Sequence, residues 1–240
     1  MLVLVEFNKN FEEIKEECIK QKLIFIPIFT LNLTSKEEIQ TQLKVIKEQK
    51  NNLTYSYCAI RVIIYNFSNS LIGTINSLKQ EFDLVIGFGG LNKINRFFLE
   101  QTQIDFLEDP QNSQYKVKID FIHHFNSGLN HVLCKLAKEK NIGIIHSLSF
   151  RKLQPFFISK EIGRINQNVK FARKYKIPIT SNIISNKYQI KNKFQLKQIN
   201  SILGFNNDQN KQALSIIEEK IKQNQFKKSD KFIGDGVWFE

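Results

Sequence analysis

The sequence predicts an α/β protein: an irregular (β/α) barrel of the TIM type in a single domain. Three observations point there. Short apolar segments alternate with amphipathic ones about eight times along the chain. The strand segments are continuously apolar, as when both faces of a parallel sheet are covered. The 240 residues are close to the roughly 250 that such a barrel commonly uses.

The elements follow in order. Leu2 to Phe7 is the first strand. Asn10 caps a helix through Lys22, with Glu12 and Glu13 early and Lys20 and Lys22 late, the charge order that suits the helix dipole. Phe11, Ile14 and Cys18 mark its inner face. Ile24 to Phe29 is the second strand. Thr34 and Glu37 have the spacing of a capping box for a helix carried by Ile39, Leu43 and Ile46. Tyr57 to Tyr65 is the third strand, and Ser70 to Phe82 the next helix. Three segments then each set an aspartate at the start of an apolar run: Asp83-Leu84-Val85-Ile86, Asp105-Phe106-Leu107 and Asp120-Phe121-Ile122. They read as strands four, five and six, with a helix from about Arg96 to Gln101 between the first two. Glu108 to Lys118 has no helical pattern, so the barrel is expected to be irregular there.

From Asn126 the chain reads as loop, helix, loop, strand. Asn126 or Ser127 suits a helix cap. Leu129, Val132, Leu133, Leu136 and Ala137 then recur at the spacing of one buried face. Asn141 and Gly143 end the helix, and strand seven runs from Ile142 to Leu148. A helix from about Lys160 to Tyr175, strand eight from Ile177 to Ile183, and helices around Phe194 to Leu203 and Asp208 to Gln225 complete the pattern. Residues 1–226 form the barrel, and 227–240 a basic tail packing on or near it.

Lys and Arg number 35 against 23 Asp and Glu, a net charge of +12. That excess favours a polyanionic partner; a lysine-rich composition spread over every surface is the plainer explanation. Cys18, Cys58 and Cys134 form no CxxC pair and read as reduced, buried thiols. No apolar run reaches the ~18 residues of a membrane span, and MLVLVEFNKN lacks the features of a signal peptide. The expectation is a soluble cytoplasmic protein with no membrane partner.

Catalytic motifs are sparse. His123 and His124 fall at the expected C-terminal end of strand six and His146 late in strand seven, the end where barrel enzymes work. A hydrolytic metal site needs several N or O ligands converging on one point. The turn after strand one, Glu6-Phe7-Asn8-Lys9, adds no histidine. Asp83, Asp105 and Asp120 fall at the opposite end, suited to bridging the barrel bottom. Gly87-Phe88-Gly89-Gly90 lacks the spacing of a nucleotide-binding loop and reads as a tight strand-to-helix turn. Cys134 reads as packing, and no paired nucleophile and base is visible. The basic residues are the better lead. Lys170, Arg173 and Lys174 lie at i, i+3, i+4 on an outward side of one helix and Arg164 adds to its first turn, while Arg96, Arg151 and Lys152 follow strands at the loop end. Arginine's planar fork grips phosphate with two bonds, and only Arg61, Arg96, Arg151, Arg164 and Arg173 occur. Arg61, inside a strand, is expected to be internal. His131 points away from the apolar face and reads as a hydrogen-bonding or RNA-facing residue.

The order of blocks is informative. Gly89-Gly90 is followed by Asn95-Arg96, Ile104-Asp105-Phe106-Leu107, Ile119-Asp120, then Ser127-Gly128-Leu129-Asn130-His131-Val132-Leu133. Ala172-Arg173-Lys174-Tyr175-Lys176-Ile177-Pro178, Gly204 and Gly236-Val237 come after. This succession resembles the ribonuclease P protein component 3 family, the p30-type subunit, over most of the chain after about residue 83. The first 80 residues match only in rhythm, and Val3-Leu4-Val5-Glu6 lacks the aspartate such proteins often carry. The resemblance implies a barrel related to PHP hydrolases but without their metal chemistry. It implies a subunit of the endoribonuclease that removes 5′ leaders from precursor tRNA, in which RNA is the catalyst and Mg²⁺ is held by that RNA rather than by this chain. The implied partners are the ribonuclease P RNA and a second small protein subunit in a two-by-two heterotetramer, with Asn130 and His131 at an interface. The rival is a metal-dependent phosphoesterase of the PHP barrel type using His123, His124 and His146.

Overall fold

The computed structural model describes residues 1–53, 57–65, 67, 71–112, 119–120, 122, 124–147, 155–181, 183–184, 192–229, 232–234 and 237–238; of 155–157, 184, 232–234 and 237–238 only the backbone is described. Among the described residues, eight strands form one parallel sheet: β1 (Leu2–Glu6), β2 (Ile24–Leu33), β3 (Ala59–Ile64), β4 (Leu84–Phe88), β5 (Phe106–Glu108), β6 (Gly143–Ile145), β7 (Ile179–Thr180) and β8 (Ile183–Ile184). Their order is β7-β6-β5-β4-β3-β2-β1-β8. The outermost two are consecutive pieces of one stretch of chain. Ile179 pairs with Ile144 of β6, and Ile183 pairs with Leu4 of β1. The ladder therefore returns to its start and the barrel closes.

The helices are α1 (Phe11–Lys20), α2 (Lys36–Asn51), α3 (Leu71–Glu81), α4 (Asn92–Glu100), α5 (His131–Glu139), α6 (Pro155–Tyr175), α7 (Lys193–Ile202) and α8 (Asn207–Lys228). A two-stranded antiparallel hairpin, β9 (Phe232–Gly234) and β10 (Val237–Trp238), follows. Among the described residues no helix is long and apolar enough to cross a membrane.

Alternation along each strand separates two cores. Leu2 and Leu4, Ile26 and Ile28, Ala59, Leu84 and Ile86, Phe106, Ile145 and Ile183 pack inside the barrel. Val62, Val85, Leu107 and Ile144 face the surrounding helices. Three residues of α8, Ile216, Ile217 and Ile221, join the interior cluster. The polar side of α8 serves backbone groups just ahead of the strands. Lys220 donates to the Asn141 carbonyl at 2.5 Å, Asn224 to the Asp83 carbonyl at 2.7 Å, and Lys228 to the Phe82 carbonyl at 2.9 Å. The helix thus closes the N-terminal mouth. Asp105 takes Lys79 at 2.6 Å and Asn224 at 3.0 Å, and Asp83 takes the Cys58 amide at 2.8 Å. These two aspartates bridge the barrel bottom, as expected.

The third segment of that trio behaves differently. The sheet position beside β5 is filled by β6, with Phe106 opposite Gly143. Residues 119–120 carry no strand, and Ile119 and Ile122 are 80% and 94% exposed. Asp120 binds Arg164 of α6 and the Asn126 amide. The helix caps also shift. Ser35, not Thr34, caps α2 by accepting from the Glu38 amide, and Asn130 caps α5 by accepting from the Leu133 amide at 2.9 Å. Asn126 is used within the preceding loop. With that start, α5 buries Leu133, Cys134 and Ala137 and leaves Val132 exposed. α4 starts at Asn92, ahead of the expected Arg96, and α6 at Pro155. α8 continues to Lys228, past the boundary expected at 226.

Candidate nucleic-acid interface

The loops at the C-terminal rim are held together by Asn95, a wholly buried residue of α4. Its Oδ1 accepts from the Gly90 amide at 2.8 Å. Its Nδ2 donates to the Pro110 and Gly128 carbonyls, both at 2.9 Å. Three separate loops are thereby fixed by one amide side chain. Gly89 is required by this closeness: a Cβ there would lie 2.7 Å from Asn95 Oδ1 and 2.8 Å from the Glu108 carbonyl oxygen. Gly128, at φ 79°, supplies the left-handed turn that leads into α5. The Gly-Gly and Asn blocks thus build the rim instead of cradling a phosphate.

Between the α5 N-terminus and the second half of α6 lies a groove of about 290 Å³. Asn130 and His131 line one side and Phe171, Lys174 and Tyr175 the other. Its floor includes Ser127, which is 1% exposed and whose Oγ has no partner among the described residues. A wider groove of about 790 Å³ continues between α4 and α5, sharing Asn92, Asn130 and His131 and adding Lys93, Arg96 and Lys135. The Ser-Gly-Leu-Asn-His and Ala-Arg-Lys-Tyr blocks, which are about 45 residues apart in the chain, therefore meet on one face.

The cations expected at an RNA surface divide into groups. Arg96 is exposed and, among the described residues, makes an i,i+4 pair to Glu100 at 2.8 Å, worth little in water. Lys170 and Lys174 are exposed. Arg173 is exposed but engaged, donating to Gln209 at 3.1 Å and to the Gly204 carbonyl at 2.5 Å. It ties α6 to α8. Arg164 does not offer its fork to solvent. It is 6% exposed and binds Asp120 at 3.0 and 3.2 Å. Burial opposes the Asp120 charge, but the Asn126 amide and Arg164 hold its carboxyl below the usual range. Arg151 and Lys152 lie outside the described residues.

No family model matches the chain. Individual sequences do. Ribonuclease P protein component 3 of Methanocaldococcus jannaschii is 27% identical over 160 residues, 65% of this chain and 62% of that one. The component 3 proteins of Methanosarcina mazei and Methanosarcina barkeri are 26% and 24% identical over 64% of this chain, each match spanning 60% of the relative's own length. This chain is similar in sequence to ribonuclease P protein component 3 over about two thirds of its length. A cryo-EM structure of archaeal ribonuclease P with mature tRNA contains a chain of the same fold, at TM-score 0.71 and 20% identity, covering 100% of this chain and 97% of that one.

The barrel mouth holds an ion cluster. Glu6, Arg61 and Glu108 follow the inward positions of β1, β3 and β5. Arg61 grips Glu108 through Nε at 2.6 Å and Nη2 at 2.7 Å, and reaches Glu6 through Nη1 at 2.6 Å. Burial works against the Arg61 charge, but Glu108 and Glu6 outweigh it and raise the guanidinium above its ordinary value. Phe88 lies over the guanidinium at 5.7 Å. The internal position expected for Arg61 is what the structure shows; its two carboxylate partners carry no signal beyond falling on inward positions.

The described histidines are dispersed. His146 is wholly buried, its Nδ1 3.4 Å from Asp109, while Asp109 also accepts from the Ser147 amide and hydroxyl. Burial opposes the Asp109 charge, yet His146 and Ser147 hold its carboxyl below its ordinary value. His124 is exposed, and His123 lies outside the described residues. Among the described residues, no three His, Cys, Asp or Glu side chains are grouped to hold a metal ion. Cys134 is buried on the inner face of α5, and burial pushes its thiol up to about 12.

Proposed function

We propose that the chain is a protein subunit of ribonuclease P, the ribonucleoprotein that removes the 5′ leader of precursor tRNA. In this reading it binds and helps fold the catalytic RNA and performs no chemistry itself. Mg²⁺ belongs to the RNA, and the assembly works in the cytoplasm. The observation that carries the proposal is spatial. The two sequence blocks that carry the resemblance to component 3 proteins meet in one groove, continuous with a second groove lined by Lys93, Arg96 and Lys135 together with Glu100 and Glu139. A mouth sealed by Arg61, Glu6 and Glu108 is in keeping with a binding role. The second small protein subunit and the two-by-two heterotetramer belong to the same proposal; the exposed Ile119, Ile122 and Val132 supply apolar surface for a protein contact.

RNA held through phosphates and shape releases counterions, so affinity falls steeply with salt. Binding of the ribonuclease P RNA is measured across a salt series for the wild type and for Arg96→Gln with Lys135→Gln. The expected result is a steep salt dependence, shallower by about two in the variant, or roughly one per lost phosphate contact. A wild-type affinity that does not respond to salt contradicts the proposal.

A further inference from the structure

The smaller groove has features that a generally basic surface does not need. Its lining contains no acidic residue. Phe171 and Tyr175 are half-buried rings on one wall, with Lys174 Nζ 5.6 Å from the Tyr175 ring centre. The opposite wall is the first turn of α5. There the amide of Leu133 is taken by the Asn130 side chain and that of Cys134 by the Asn130 carbonyl. The amides of His131 and Val132, as first-turn groups, have no acceptor within the helix. Such a terminus favours an anion, and an independent feature stands beside it. Ser127, also part of the lining, is 1% exposed, and its Oγ is without a partner among the described residues. A buried hydroxyl left unsatisfied costs free energy that a ligand would recover. At about 290 Å³ the groove lies near the low end of the roughly 300–1,000 Å³ used by small-ligand sites. It suits one nucleotide and excludes a duplex.

We propose that this groove holds one unstacked ribonucleotide, its base against Phe171 and Tyr175 and its phosphate on the α5 N-terminus, Ser127 Oγ and Lys174. The inference rests on the RNA-binding reading and adds to it a single-stranded contact. Rings and a cation are the usual means of holding unpaired bases without reading sequence.

The test uses the full chain at low salt with two probes: a ten-nucleotide single-stranded oligouridylate and a ten-base-pair RNA duplex. Tyr175→Leu is expected to weaken single-strand binding by about tenfold, within the range of one lost stacking contact, and to leave duplex binding unchanged. Because Tyr175 also packs against the core, a second measurement stands apart from that variant. A 4-thiouridine oligomer is crosslinked to the wild type and the adduct mapped. Crosslinks within 124–131 or 171–175 support the groove. Crosslinks only elsewhere, or Tyr175→Leu binding the single strand as tightly as wild type, overturn the nucleotide site while leaving the RNA reading intact. A wild type that binds neither probe nor the ribonuclease P RNA overturns that reading, and the site with it. Protection of the groove by a protein subunit in place of RNA overturns the nucleotide site.

Discussion

At the scale of single residues, Arg61 is the most consequential cation in the molecule, although it lines neither of the grooves proposed for RNA. It neutralises two carboxylates in the barrel mouth, one of them, Glu108, with a side chain only 1% exposed. Burial raises the Glu108 carboxyl, and Arg61 pulls it back. Removing one partner from a buried ion pair costs about 3–5 kcal/mol. Arg61→Leu is therefore expected to lose that much stability at pH 7 in urea unfolding. The sign with pH follows. Without Arg61, Glu108 has a folded-state pKa above its unfolded value, so the penalty is relieved below that unfolded value and grows as pH rises. The deficit should be smaller at pH 5 than at pH 8; a deficit independent of pH contradicts this role. Arg164 teaches the opposite lesson about reading charge from sequence. Its place in the first turn of the expected helix reads as a surface cation, but Asp120, 44 residues away, claims its guanidinium. Nothing in the periodicity of a helix reports a partner that distant.

Among the elements, α8 has the least legible role. Its apolar residues point into the barrel while Lys220, Asn224 and Lys228 satisfy carbonyls at the strand starts. Leaving a cavity at Ile217, 2% exposed, should cost about 2–5 kcal/mol. Ile217→Ala is expected to show that loss in thermal or urea unfolding, whereas Gln225→Ala, at an exposed position of the same helix, should stay within about 0.5 kcal/mol of wild type. Equal losses at both positions would mean that α8 is not the plug described. Strands one to five were legible because a continuous apolar run of strand length has few other uses. Asp120-Phe121-Ile122 satisfies the same local pattern, yet the position beside β5 belongs to Gly143–Ile145. A run of residues does not disclose whether a sheet neighbour is free. For the candidate site, Asn130, His131 and Lys174 were identifiable as polar positions on helices. Their meeting with Ser127 and Tyr175 was not, because it is made by packing α5 against α6.

For the whole molecule, the net charge of +12 and the fold shared with an archaeal ribonuclease P chain belong to one account. In the proposed function, a closed barrel, plugged below by α8 and sealed above by Arg61, turns its outer helices and rim loops toward RNA. Charge alone does not locate the surface, since lysines are spread widely, and Arg164 and Arg173 are engaged within the protein. The groove system around α5 gives the charge a place. The most direct test of this account is to isolate the tagged protein from its own cells at low salt, sequence the RNA that accompanies it, and assay the material on precursor tRNA with and without nuclease pretreatment. The account predicts one structured RNA and cleavage at the mature 5′ end that is lost when that RNA is destroyed. Cleavage that survives nuclease treatment, or a preparation free of RNA, would contradict it.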